Sequence, residues 1–157
     1  MAAGKFTWYT SALKYLANGR IDLEDGTIVA YPLKDTYTPS TASHSALGQI
    51  TSHQATASST IVNAIVLSGL AVTQSGVETV KWDANDISGF SSDGSTIASF
   101  KWLALVARSA SSGGGIDNLL VGFMNMDTTT ASSSAGNSTQ VNITWSSSGI
   151  AKLRGNP

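Results

Sequence analysis

Apolar residues recur along this chain in two rhythms. Over residues 7–18, Trp8, Ala12, Leu13, Tyr15 and Leu16 follow a spacing near the helical period, and Asn18-Gly19 supplies the kind of stop at which helices end. A short amphipathic helix is expected there. From residue 21 the rhythm shortens. Residues 21–33 alternate apolar and polar positions about Asp25-Gly26, a dipeptide suited to the tight turn between antiparallel strands, and so predict a hairpin. Residues 43–49 suit a short helical turn. Strands are expected over 60–67 and 70–74, which are β-branched and apolar around Ser68-Gly69, and over 77–82, which alternates. The strongest apolar block, 97–108, and the next, 119–126, add two more. Val141, Ile143 and Trp145 alternate with Asn142 and Thr144 into a later strand, and 149–153 closes the series.

Residues 109–115 and 127–138 have no side chains able to build a core, so they are expected to be connections. Short strands separated by Ser, Gly and Asp turns, without strand–helix alternation, predict a mainly β chain: an antiparallel β-sandwich or barrel with a short N-terminal helix. A length of 157 residues suits one domain, with 1–20 as an N-terminal arm or helix and 21–157 as the β domain. Truncation to Arg20 is then expected to leave that β domain folded.

Charge changes the picture more than length does. Asp, Glu, Lys and Arg make up 12% of the chain, about half the usual share near 25%. Residues 36–77, 42 in succession, contain none of them, although they are rich in Ser, Thr, Gly and β-branched residues. Interspersed charge is what keeps isolated domains apart, so a stretch of this kind is poorly protected against association and suits a surface that other protein covers. A net charge of −1 offers no basic footprint for nucleic acid. The apolar run 61–72 is interrupted by Asn63, Ser68 and Gly69 and is too short for a membrane-spanning helix, so no membrane partner is expected. The N-terminal residues lack the apolar core of a signal peptide, and without cysteine there is no disulfide framework or thiolate metal site.

Catalytic chemistry finds little to stand on. His44 and His53 lie within the charge-free stretch with no carboxylate close in sequence and no metal-ligand or nucleophile motif, which makes them polar loop residues. Asp22, Glu24 and Asp25 before Gly26 lack the spacing and distal glutamate of a calcium loop, and Asp83 and Asp86 bracket Ala84-Asn85; turn chemistry accounts for both groups. Gly113-Gly114-Gly115 has no phosphate-binding lysine after it. No catalytic, cofactor-binding or metal-binding residue is therefore assigned, and no enzymatic activity is expected. Among the aromatics, Trp102 and Trp145 lie in apolar or alternating strands and suit the core. Phe6, Trp8 and Tyr9 are too apolar for a free end, and with Tyr37 and Pro39 in the turn-rich stretch they are the candidate subunit contacts. Trp82 beside Asp83 and Asn85 is the one cluster that suits a sugar-stacking platform.

Ala12-Leu13 and Gly19-x-Ile21-Asp22-Leu23, then Thr27-Ile28, Leu33, Tyr37-Thr38-Pro39, His44 and Leu47-Gly48-Gln49-Ile50, resemble a set of small tailed-bacteriophage virion proteins. The later pieces keep the same order: Lys81-Trp82-Asp83-Ala84-Asn85-Asp86-Ile87, Phe100-Lys101-Trp102-Leu103-Ala104-Leu105, Leu119-Leu120-Val121-Gly122-Phe123, and Val141-x-Ile143-x-Trp145 with Gly149-Ile150. The resemblance implies a structural protein of the phage particle, a capsid decoration or cement protein on the capsid exterior. Its partners would be the major capsid protein and its own copies, as a homo-oligomer such as a trimer. Neck or tail components, and a glycan-binding host-attachment sandwich, are the alternatives. No catalytic residues come with the resemblance.

Overall fold

The computed structural model describes residues 4–55, 64–77, 79–88, 100–108, 118–126 and 142–154. Its elements follow the order β1 (Phe6–Trp8), α1 (Thr10–Ala17), β2 (Thr27–Leu33), two 3-10 turns (Leu47–Gln49 and Thr51–His53), β3 (Ile65–Val66), β4 (Ala71–Gln74), β5 (Thr79–Asp83), β6 (Trp102–Arg108), β7 (Leu119–Asn125) and β8 (Ala151–Arg154). They form two antiparallel sheets, one in the order β1-β7-β6-β2-β3 and one in the order β4-β5-β8. The expected mainly β sandwich with one short helix is the observed fold.

The central strands of the larger sheet are buried on both faces, which is why β2, β6 and β7 read as near-continuous apolar runs rather than alternating ones. On one face lies the smaller sheet. Trp82 of β5, fully enclosed, packs its ring against Phe6 and Trp8 of β1 at centroid distances of 5.8 and 5.9 Å, and its Nε1–H donates to the Leu23 carbonyl at 2.9 Å. On the other face Phe123 meets Tyr9 at 5.2 Å, and α1 and the loop after β2 close over it. One contiguous cluster of buried residues unites both layers. Gly149, at φ +82°, lets the chain turn into β8 hard against β5; a Cβ there would lie 2.5 Å from the Trp82 carbonyl oxygen.

Three expectations are corrected. The helix starts at Thr10, not at residue 7, because Phe6, Thr7 and Trp8 pair with Met124, Phe123 and Gly122 of β7 as an edge strand. A short apolar run fits period two and period 3.6 alike, and here a sheet edge was available to take it. Gly122 has no side chain, and the Phe6 ring occupies that space. Residues 5–20 are accordingly built into the sandwich rather than forming an arm beside it. The Gly19 stop is as expected, with φ +65° and an Arg20 N–H bond to the Tyr15 carbonyl.

The hairpin over 21–33 does not form. Asp22 Oδ1 accepts from the backbone N–H groups of Glu24 and Asp25 at 2.9 and 3.0 Å, so the segment is an Asx-type bend leading into β2, whose partners are β6 and β3. Ile21 and Leu23 are buried as the alternation required, but in the core rather than in a strand. Among the described residues of the expected strand over 141–145, Ile143 forms an isolated bridge with Ile87 in place of a regular strand. The connections expected over 109–115 and 127–138, and residues 60–63 of an expected strand, lie outside the described residues.

Candidate interaction site

The charge-free stretch, as far as residue 55, is an ordered cover on the larger sheet. Main-chain bonds tie it down at both ends and in the middle: Lys34 N–H to the His53 carbonyl, Ala55 N–H to that of Pro32, Leu47 N–H to that of Asn118, and Leu120 N–H to that of Ser45. Gln49, though exposed, organises the bend inside it. Its Oε1 accepts from the N–H groups of Ser45 and Ala46 at 2.7 and 3.0 Å, and its Nε2 donates to the Ser43 carbonyl at 3.1 Å. Asn118, at φ +60°, is a residue type that tolerates the left-handed backbone it must adopt to meet Leu47.

Beneath this cover runs a line of polar side chains. The Tyr9 and Tyr37 hydroxyls are 2.6 Å apart, and the Tyr37 hydroxyl is 2.9 Å from His44 Nδ1. Burial, followed by the bond to Tyr37, raises the Tyr9 pKa well beyond its ordinary value; burial also raises that of Tyr37, opposed by the bond from Tyr9. These directions fit Tyr9 as donor to Tyr37. His53 also packs on the Tyr37 ring, at 5.4 Å. The two histidines expected to be polar loop residues are brought together around one tyrosine. Sequence reasoning missed this, because the three residues are adjacent only once the loop has folded back. Among the described residues no group of three or more metal-ligating side chains converges.

What the cover presents outward is neutral. Thr36, Thr38, Ser43, Gly48, Thr51 and Ser52 are exposed and Pro39 is half-buried among them. Hydroxyl and backbone groups of this kind are cheaper to desolvate than charges.

A second feature lies where the edges of the two sheets approach. Phe6 and Trp8 of β1, with Ser148, Ile150 and Lys152 at β8, line an open cleft of ≈ 380 Å³, with Lys5 on its rim. Phe6 and Trp8 are half-buried, their rings in edge contact at 4.9 Å.

The five candidate contacts therefore divide. Phe6, Trp8 and Pro39 remain partly accessible, and the first two share the cleft. Tyr9 and Tyr37 are 0% and 2% exposed, so their rings are removed from any contact surface by the loop that closes over them. Trp82 is also in the core, which withdraws it from a sugar-stacking platform; Asp83 pairs with Lys81 at 2.9 Å and Asp86 accepts from the Trp145 N–H at 2.9 Å. Trp145 is buried as expected, whereas Trp102 is half-buried. No described helix is long and apolar enough to cross a membrane. Compared with protein-family models, with curated proteins and with solved structures, the chain has no match in any of the three.

Proposed function

We propose that this chain is a structural protein of the tailed-bacteriophage virion that decorates the capsid exterior and stabilises it by bridging capsid subunits, without enzymatic activity. The observation that carries the proposal is the ordered, uncharged face formed by residues 36–55. The resemblance of short pieces of the chain to small virion proteins supplies the setting. A face pinned by main-chain bonds loses little conformational entropy on docking, and its hydroxyls cost less to desolvate than charges would, so the cost of association is reduced. Its partners are the major capsid protein and its own copies, the latter as a closed symmetric oligomer, with a trimer as the form that suits repeated lattice sites. Stabilisation is thermodynamic: a subunit that binds only the assembled lattice adds its binding free energy to that state.

Copy number tests this directly. Quantified against the major capsid protein in purified virions, a decoration protein is expected in proportion to capsomers. A count fixed at a single ring per particle would instead place it in the neck or tail, and absence from virions would refute both.

A further inference from the structure

The cleft between β1 and β8 has a property that its side chains alone do not convey. β1 has β7 on one side, and among the described residues no strand pairs with the other. The ladder places Trp8 opposite Gly122, and the Tyr9 N–H bonds to the Val121 carbonyl at 3.2 Å. In an antiparallel ladder inward-bonding residues alternate with outward-facing ones, so Thr7 and Tyr9 bond to β7 while the N–H and C=O groups of Phe6 and Trp8 point away from it. Those are the β1 residues that line the cleft. β8 is likewise the terminal strand of its sheet. Lys5 and Lys152 are both exposed at this cleft, and among the described residues no carboxylate lines it.

We propose that this cleft accepts an extended, carboxylate-bearing segment of a partner protein, which adds as a strand to the open edge of β1. Main-chain bonds to Phe6 and Trp8 supply binding that any extended segment can use; the aromatic floor takes one apolar side chain, and the two lysines select for acidic neighbours. The cleft falls within the size range of ligand pockets, which suits one or two side chains and not a whole helix. The proposal is independent of the capsid assignment, since it specifies the chemistry of the bound segment and not the particle that carries it.

The probe is a fluorescein-labelled synthetic peptide of alternating valine and glutamate, compared by fluorescence polarisation with its lysine counterpart and with a version carrying proline at alternate positions. Saturable binding of the acidic peptide alone is expected. Charge reversal at the exposed pair, Lys5→Glu with Lys152→Glu, should weaken that binding by about tenfold or more and transfer the preference to the lysine peptide. Ser148→Trp, at an exposed cleft position, should abolish binding of the acidic peptide while the thermal melt stays unchanged. Equal binding of acidic and basic peptides, binding that survives Ser148→Trp, or none up to about 1 mM acidic peptide overturns the proposal. So does concentration-dependent self-association of the protein alone that Ser148→Trp removes, because the occupant would then be a second copy.

Discussion

The hydroxyl of Tyr37 joins the N-terminal segment to the uncharged cover, through Tyr9 on one side and His44 on the other. Replacing Tyr9 by Phe removes one buried bond while leaving Tyr37 its histidine, so at neutral pH the loss of stability is expected to be about 1 kcal/mol. The pH dependence is more diagnostic. Burial raises both phenol pKa values, so the folded chain keeps its protons to higher pH than the unfolded chain does. That contribution is fully present below the unfolded tyrosine value, about 10, and is lost as pH rises from there toward the folded values. Wild type therefore carries two such losses and Tyr9→Phe only one. Chemical denaturation of both should show a gap at pH 7 that has largely closed by about pH 11; a gap of constant size would mean that Tyr9 is not held neutral by its surroundings. None of this was legible in the sequence. An aromatic residue with a hydroxyl suits an interface and a core equally well, and which it occupies depends on a loop crossing decided 28 residues away. The Asx bend at Asp22 was legible, because that chemistry is local.

Among the elements, β1 departs most from its pattern. The spacing of Trp8, Ala12, Tyr15 and Leu16 fits a helix, and the last three are indeed helical; only Trp8 belongs to the strand. Strands β2, β6 and β7 were readable because long apolar runs must be buried whatever pairs with them. Their partners were not, since pairing across the chain leaves no local mark. The placement of β1 reverses the expected effect of truncation. Cutting to Arg20 removes Phe6, Trp8 and the fully buried Tyr9 and Ala12 from the core. Truncating a single buried large aromatic to alanine costs about 3–5 kcal/mol, and a whole domain is stable by only about 5–15 kcal/mol. The shortened chain is expected to show no cooperative thermal transition by circular dichroism. A sigmoidal melt close to that of wild type would mean that β1 lies outside the folding unit.

At the scale of the whole molecule, the uncharged stretch is legible from the sequence at once, and its described part is ordered rather than loose. What the sequence could not locate was the cleft, because it is made by two sheet edges from opposite ends of the chain. The two surfaces suggest a division of labour: the neutral face for a broad lattice contact, the cleft for one extended segment. Adding the purified protein back to phage heads that lack it tests the lattice role most directly. Saturable co-sedimentation is expected, with a rise in the temperature at which filled heads rupture, because ligand that binds only the intact state stabilises it. The Thr38→Glu, Thr51→Glu double variant, altered only at exposed positions of the neutral face, should fold normally yet neither bind nor protect. Heads that neither retain the wild-type protein nor gain heat resistance from it would contradict the account.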